Sequence, residues 1–142
     1  MQTLTGACHC GNLRFELDLT QAPTAYRPRL CDCDFCRKHG AGYLADPGGA
    51  LRIAVKDEGQ LRRYRQGADI ADCLVCGNCG VLVAITYEDS GTLYGVVNVR
   101  ALEGDVTMGE GQPVSPKTLS ADDKVTRWKK LWFQRVAIRV GA

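Results

Sequence analysis

The chain has 142 residues, of which 45% are hydrophobic and 24% charged, proportions typical of a globular domain with a core of its own. Its formal net charge of +2 gives no sign of a phosphate-binding surface, and no apolar run reaches membrane-spanning length. We therefore expect one soluble domain over residues 1–142. Residues 1–6 lack the basic and apolar stretches of a signal peptide, which predicts a cytoplasmic location.

The first predicted element is a half-buried strand over residues 12–19. Leu13, Phe15, Leu17 and Leu19 alternate with polar residues, and such alternation places the apolar side chains on one face of a strand. Shorter strands are predicted at 42–45, 50–55, 61–65, 81–87, 93–100 and 134–140, separated by segments rich in Gly, Asp and Pro. The sequence therefore predicts a mainly β domain.

Two helices are predicted among the strands. The first is short and follows Cys33, and the second covers residues 121–132 with Ser120 as its N-cap. Apolar side chains recur along the second helix at helical spacing, and we expect them to cover part of the sheet; they are Val125, Trp128, Leu131 and Trp132.

Eight cysteines, all within the first 79 residues, are the most unusual feature of the sequence. Adjacent Cys-x-Cys pairs are poor disulfide partners, and the expected compartment is reducing, so metal binding is favoured over disulfides. Thiolate-rich sites suit zinc or iron–sulfur clusters, and the last group lacks the Cys-Pro continuation of a ferredoxin motif. Zinc is therefore the predicted metal. The three groups are Cys8 and Cys10, then Cys31, Cys33 and Cys36, then Cys73, Cys76 and Cys79.

One metal site is predicted from the first and last groups. Cys76 and Cys79, followed by Gly80, resemble one knuckle of a zinc ribbon, for which Cys8 and Cys10 are the natural second pair. We call Cys8, Cys10, Cys76 and Cys79 the four-cysteine cluster. Four thiolates fill the coordination shell of zinc, so the predicted site is structural.

A second site is predicted from the middle group. Spacings of one and two residues allow Cys31, Cys33 and Cys36, which we call the three-cysteine cluster, to reach one ion from a loop and a first helical turn. Three protein ligands leave a fourth position open, as in catalytic zinc sites. Three thiolates around Zn²⁺ leave one net negative charge, which suits the handling of a thiolate better than the activation of water.

Three segments of the sequence resemble a known family. The segments GACHCGNLRF, CDCDFCRKHGAG and CGNCG are similar in order and spacing to the cysteine segments of the glutathione-dependent formaldehyde-activating enzyme family, which also includes centromere protein V. The resemblance covers roughly residues 4–100, and a C-terminal helix and strand complete the fold. It implies a mainly β, Mss4-like sheet domain with zinc-binding loops and one or two short helices.

The resemblance also implies roles for the cysteines and an activity. Cys8, Cys10, Cys76 and Cys79 match the ligands of a structural zinc, and Cys31, Cys33 and Cys36 match those of a labile, catalytic zinc, giving two zinc ions per chain. The implied enzyme is a zinc-dependent carbon–sulfur lyase. It adds glutathione or a related thiol reversibly to formaldehyde or a similar small electrophile and gives S-hydroxymethylglutathione.

Two features depart from the family pattern or leave alternatives open. Cys73 has no counterpart in the family, so it is either a free thiol or a fourth ligand of the three-cysteine cluster. The basic run Arg37, Lys38 and His39 either meets the carboxylates of glutathione or forms a solvated face.

The alternative function is a non-catalytic, zinc-stabilised module that binds protein or nucleic acid. Residues 62–65 (RRYR) and 127–130 (RWKK) combine basic and aromatic side chains, as nucleic-acid-binding surfaces do. The small net charge favours an edge strand and the solvent face of a helix instead. We therefore expect a small-molecule thiol as the partner and neither a membrane nor a nucleic acid; the sequence leaves the oligomeric state open.

Overall fold

The computed structural model describes residues 1–141, and its main elements are strands, which confirms the expected mainly β fold. The strands are β1 (Gln2–Ala7), β2 (Leu13–Leu19), β3 (Arg29–Cys31), β4 (Tyr43–Leu44), β5 (Ala50–Val55), β6 (Leu61–Tyr64), β7 (Asp72–Cys76), β8 (Leu82–Asp89), β9 (Thr92–Asn98), β10 (Gln112–Val114) and β11 (Val136–Val140). The α-helices are α1 (Asp34–His39) and α2 (Ala121–Leu131).

The strands form two sheets. The four-stranded sheet has the order β1-β2-β5-β11, and the seven-stranded sheet has the order β10-β3-β4-β9-β8-β7-β6. Neighbouring strands are antiparallel, except that β10 lies parallel to β3 and β11 lies parallel to β5. Strands β10 and β11 are edge strands, so the C-terminal part of the chain contributes one edge strand to each sheet.

The core is built from alternating strand residues. Leu13, Phe15, Leu17 and Leu19 of β2 are at most 3% exposed, which confirms the face predicted for this strand. They belong to one buried cluster together with residues of the seven-stranded sheet. Fully burying a leucine side chain stabilises the fold by about 1.5–3 kcal/mol, so packing joins the two sheets.

The predicted strands correspond to β2, β4, β5, β6, β8, β9 and β11, with ends that differ by at most two residues. The sequence pattern does not predict β1, β3, β7 or β10. Strand β1 is an edge strand whose sequence, QTLTGA, shows no alternation of large apolar residues. Strand β7 is largely buried, and its two cysteines draw attention to metal binding instead of strand formation.

The two helices begin where the sequence predicts. Helix α1 has Cys33 as its N-cap, and Ser120 caps α2 by accepting a hydrogen bond at 3.1 Å from the backbone N–H of Asp123. Trp128 of α2 packs edge-on against Tyr87 of β8, so the helix covers the sheet as expected. Within residues 1–141, no helix has the length and apolarity needed to cross a membrane.

Candidate metal centre and active site

The four-cysteine cluster is built from two hairpin turns that belong to different sheets. Cys8 and Cys10 lie in the turn between β1 and β2, whereas Cys76 ends β7 and Cys79 lies in the turn before β8. Their four sulfurs lie within 4.8 Å of one another. The fold therefore brings together the two pairs that the sequence analysis assigned to one site.

Both turns direct backbone N–H groups at sulfur. The N–H of Leu13 donates to Cys8 Sγ at 3.3 Å, and the N–H of Cys79 donates to Cys76 Sγ at 3.5 Å. Each turn also contains a glycine with positive φ, Gly11 at 84° and Gly80 at 85°, a conformation that other residues adopt only with strain. Hydrogen bonds to sulfur favour the thiolate form that a metal requires.

Ionisation differs among these thiols. Hydrogen bonds from Asn78 and from the backbone of Asn12 lower the pKa of Cys10 to about 6. Burial raises the pKa of Cys8 to about 11. Although its partial burial opposes the effect, hydrogen bonds from the backbone of Cys10 and Val81 lower the pKa of Cys79. The thiolate form is therefore favoured at Cys10 and Cys79, the two more exposed cysteines of the cluster.

The sulfur distances fit a tetrahedral metal site. Cys10 Sγ lies 3.7 Å from Cys8 Sγ and 3.6 Å from Cys76 Sγ. A tetrahedron with metal–sulfur bonds of about 2.3 Å has edges of about 3.8 Å, whereas a disulfide bond is only about 2.05 Å long. All eight cysteines of the chain are free thiols, so these clusters are not disulfide frameworks.

The three-cysteine cluster is assembled within one short segment. Cys31 is the last residue of β3, Cys33 is the N-cap of α1, and Cys36 lies in the first turn of that helix. Their sulfurs lie within 4.8 Å of one another. The Cys36 N–H donates to Cys33 Sγ at 3.4 Å, so the cap that starts the helix also positions a candidate ligand.

Cys36 is buried and is held by a tyrosine. Tyr43 of β4 is 6% exposed, and its hydroxyl donates to Cys36 Sγ at 3.1 Å. Burial raises the pKa of Tyr43, which keeps the phenol protonated as a donor. A hydrogen bond from Cys36 lowers the pKa of Cys31 to about 6, and the same contact raises the pKa of Cys36.

A cavity of about 160 Å³ opens beside this cluster. All three of its cysteines line the cavity, as do Tyr43 and Cys73. Another part of the wall comes from α2 and the residues next to its two ends, and includes Leu119, Trp128, Leu131 and Trp132. Four cations, Arg29, Lys117, Lys124 and Arg127, line the cavity as well. The cavity therefore combines thiols, an apolar wall and positive charge.

Cys73 faces the same cavity without joining the three-cysteine cluster. Cys73 is 2% exposed, and its sulfur is not among the three that lie within 4.8 Å of one another. Burial raises its pKa to about 12. This geometry fits the free-thiol alternative better than a fourth ligand, because the Cys73 sulfur is not among those close enough to share one ion.

Several residues near the clusters lie away from the cavity. Arg37, Lys38 and His39 are exposed on α1, and none of these three is among the described residues that line it. The His39 ring packs on Phe35 with centroids 4.6 Å apart. The basic run is therefore a solvated face, the second of the two alternatives.

The sequence analysis missed the residues that form the cavity walls. Arg29 lies two positions before Cys31, so strand alternation would have placed both on one face had β3 been recognised. The sequence pattern places Arg127 on the surface of the predicted helix and Trp128 in the core, and predicts neither as a cavity residue. No local signal shows that α2 faces the three-cysteine cluster, since that contact depends on the tertiary fold.

A mainly β domain that gathers seven cysteines into two sulfur clusters defines a class: small thiolate-rich β proteins able to hold metal ions. The sequence profile of a particular family, described as glutathione-dependent formaldehyde-activating enzyme, matches residues 3–118. The chain belongs to that family. The match extends past residue 100 and includes Val114, Pro116 and Lys117 of the cavity wall.

A solved structure is similar to this chain in sequence and fold. The crystal structure of a Rhodobacter sphaeroides protein, a structural genomics target, is similar to this chain with 31% sequence identity and a TM-score of 0.51. The similarity covers 71% of this chain and 89% of that chain. Membership of the family supports a function related to glutathione and formaldehyde and suggests a lyase-type enzyme.

Proposed function

We propose that the chain is a carbon–sulfur lyase-type enzyme that adds glutathione, or a related thiol, reversibly to formaldehyde or a similar small aldehyde. The observation that carries the proposal is the contrast between the two clusters. All three residues of the three-cysteine cluster line the cavity, whereas no residue of the four-cysteine cluster is among its described lining residues. Of the two clusters, a ligand in the cavity therefore reaches only the three-cysteine cluster.

The proposed reaction is balanced without an oxidant or reductant. The sulfur of the thiol forms a bond to the carbonyl carbon, and one electron pair of the carbonyl double bond moves to oxygen. The proton lost by the thiol ends on that oxygen, which gives a hemithioacetal. The reverse reaction cleaves the same carbon–sulfur bond and returns the proton to sulfur.

The donor set fits zinc, because three cysteine sulfurs lie close enough to share one ion. Zinc held by Cys31, Cys33 and Cys36 would lower the pKa of a substrate thiol and so favour the nucleophilic thiolate near neutral pH. The four-cysteine cluster would hold a second zinc with a purely structural role.

The chain's own residues prepare the site. The hydroxyl of Tyr43 fixes the Cys36 sulfur through its hydrogen bond. Trp128 and Trp132 stack with centroids 4.8 Å apart and line the cavity. Their apolar surface limits the number of water molecules around a reacting thiolate, and a less solvated thiolate is a stronger nucleophile.

Surface contacts favour this enzyme over the non-catalytic binding module. Arg63 and Arg65 are paired with Asp72 at 3.6 and 2.8 Å, so the basic edge strand is partly neutralised. Arg127 and Trp128 line the cavity instead of forming a flat surface. Salt-dependent retention of the protein on heparin or DNA would support the module.

The decisive experiment measures the exchange between formaldehyde, glutathione and their adduct by exchange NMR. We expect Cys33→Ser to slow the catalysed exchange at least about 100-fold, because it removes one of the three ligands. Cys73→Ser is the matched control and should keep the exchange rate and the zinc content. An exchange rate in Cys33→Ser equal to that of the unmodified protein would refute the proposal.

A further inference from the structure

The cavity has positive charge that the chain does not neutralise. No Asp or Glu is among its described lining residues. Lys117 forms an ion pair with Asp32 at 3.8 Å, whereas Arg29, Lys124 and Arg127 take part in none of the ion pairs formed within residues 1–141. A low-polarity cavity concentrates such a field, so it attracts an anion.

Arg29 provides the strongest indication of a ligand. It lies on β3 two residues before Cys31, so the two side chains share the strand face that lines the cavity. Its Nη2 atom is buried and has no hydrogen-bond partner among the described residues. Leaving a buried charged donor unpaired is costly, and an acceptor supplied by a ligand removes that cost.

Arg127 lines the same cavity as Arg29. It belongs to α2, so the cavity receives one arginine from β3 and one from the helix. Like charges that face one cavity without a carboxylate between them destabilise the empty site. A carboxylate placed between two guanidinium groups reverses this effect, because it accepts hydrogen bonds from both.

We propose that Arg29 and Arg127 bind a carboxylate of the thiol substrate while the substrate's sulfur lies at the three-cysteine cluster. The proposal rests on the proposed function and adds to it the groups that select the substrate. It makes the enzyme specific for thiols that carry a carboxylate, as both ends of glutathione do, and a poor catalyst for neutral thiols of similar size.

The test uses S-methylglutathione, which keeps both carboxylates but has no free thiol to react. Trp128 and Trp132 are the two tryptophans of the chain, and both line the cavity, so intrinsic fluorescence of the zinc-loaded protein reports binding there. We expect Arg29→Gln and Arg127→Gln each to raise the dissociation constant roughly tenfold or more. The dimethyl ester of S-methylglutathione should bind the unmodified protein as weakly as the acid binds these variants.

Arg37→Gln is the matched control, since it removes the same charge from exposed α1 beside the cluster but outside the cavity wall. It should change the dissociation constant less than about twofold. Because partly buried Arg29 contributes to the fold, Arg29→Lys, which keeps the charge but loses the bidentate geometry, provides a second variant. Arg127 is exposed, so its variant tests the proposal even if Arg29→Gln is unstable.

Two results would overturn the proposal. The first is equal affinity of the unmodified protein for the acid and the ester. The second is weakened binding of glyoxylate, but not of S-methylglutathione, in the Arg127 variant, which would assign the carboxylate to the aldehyde. Because S-methylglutathione does not react, its binding is measured independently of catalysis. Failure of the exchange experiment would therefore leave this result interpretable.

Discussion

The four-cysteine cluster joins the two sheets, whereas the three-cysteine cluster belongs to one strand end and one helical turn. In the four-cysteine cluster, Cys10 and Cys76 are 66 positions apart in the sequence, and their sulfurs lie 3.6 Å apart. In the second, six consecutive residues, Cys31 to Cys36, supply every sulfur. A metal in the first site closes long loops of chain and restricts the unfolded state, whereas a metal in the second orders only a short segment.

The surroundings of the two clusters differ as well. The four-cysteine cluster has its full set of four donors, so a tetrahedral ion there needs no ligand from solution. The three-cysteine cluster has three donors and a cavity beside it. The four-cysteine cluster is therefore long-range and complete, whereas the three-cysteine cluster is local and open to a cavity.

The largest expected effect is that of Cys76→Ser. It removes a ligand that is 0% exposed and that helps to join the sheets, and we expect the free energy of unfolding to fall by at least about 3 kcal/mol. Thermal unfolding would measure the loss of stability, and metal analysis should show the loss of one zinc. Cys73→Ser, on the same strand, is the control and should retain both metals. Loss of a zinc from the control variant would identify Cys73 as a ligand and break the comparison.

A chelator should remove zinc from the two clusters at different rates. During treatment with a zinc chelator, one equivalent should leave about 100-fold faster than the other, because a three-donor site open to a cavity exposes its ion to attack. Repeating the measurement on Cys33→Ser should abolish the fast phase and leave the slow phase unchanged. A fast phase that survives in Cys33→Ser would assign the labile ion to the other cluster.

Stability that does not depend on metal should come from Asp46, where the chain crosses from β4 in one sheet to β5 in the other. Its carboxylate is 6% exposed and accepts hydrogen bonds from Thr20 Oγ1 at 2.7 Å, Tyr26 Oη at 2.6 Å and the backbone N–H of Gly48 at 2.9 Å. We expect Asp46→Asn to lower the free energy of unfolding by about 2 kcal/mol without changing the metal content.

The pH dependence of this effect follows from ionisation. Although burial opposes it, hydrogen bonding by Tyr26 and Thr20 lowers the pKa of Asp46 below its ordinary value of 3.8. The contribution is therefore present above the pKa of the unfolded chain and is lost as pH falls through the lower folded value. Urea unfolding of both proteins should show a difference that is largest near neutral pH and narrows below about pH 4. A constant difference across this range would contradict the account.

Sequence reasoning anticipated what is local or periodic. Alternation predicts the strand over 12–19, capping chemistry predicts the N-cap at Ser120, and spacing predicts the division of the cysteines. Strand β1 is not predicted, because its sequence QTLTGA has a single large apolar residue and therefore no recognisable apolar face. Sequence patterns do not identify Arg29 and Arg127 as cavity residues, because the two come from distant elements and line one cavity only in the tertiary fold.

The smallest expected effect concerns the Tyr43 hydroxyl. Tyr43→Phe keeps the packing of a side chain that is 6% exposed but removes the hydrogen bond to Cys36 Sγ. Groups that hold metal ligands typically alter affinity by about 10–100-fold, and for a single neutral donor we expect about tenfold weaker zinc binding at the three-cysteine cluster. Competition with a chromophoric chelator would measure the zinc affinity.

Zinc binding at the four-cysteine cluster should not change, because the Tyr43 hydroxyl contacts a sulfur of the three-cysteine cluster. Tyr94→Phe, outside the described cavity wall, is the control. Equal weakening at both clusters would mean that the hydroxyl acts through general stability, and the local character assigned to the three-cysteine cluster would have to be abandoned.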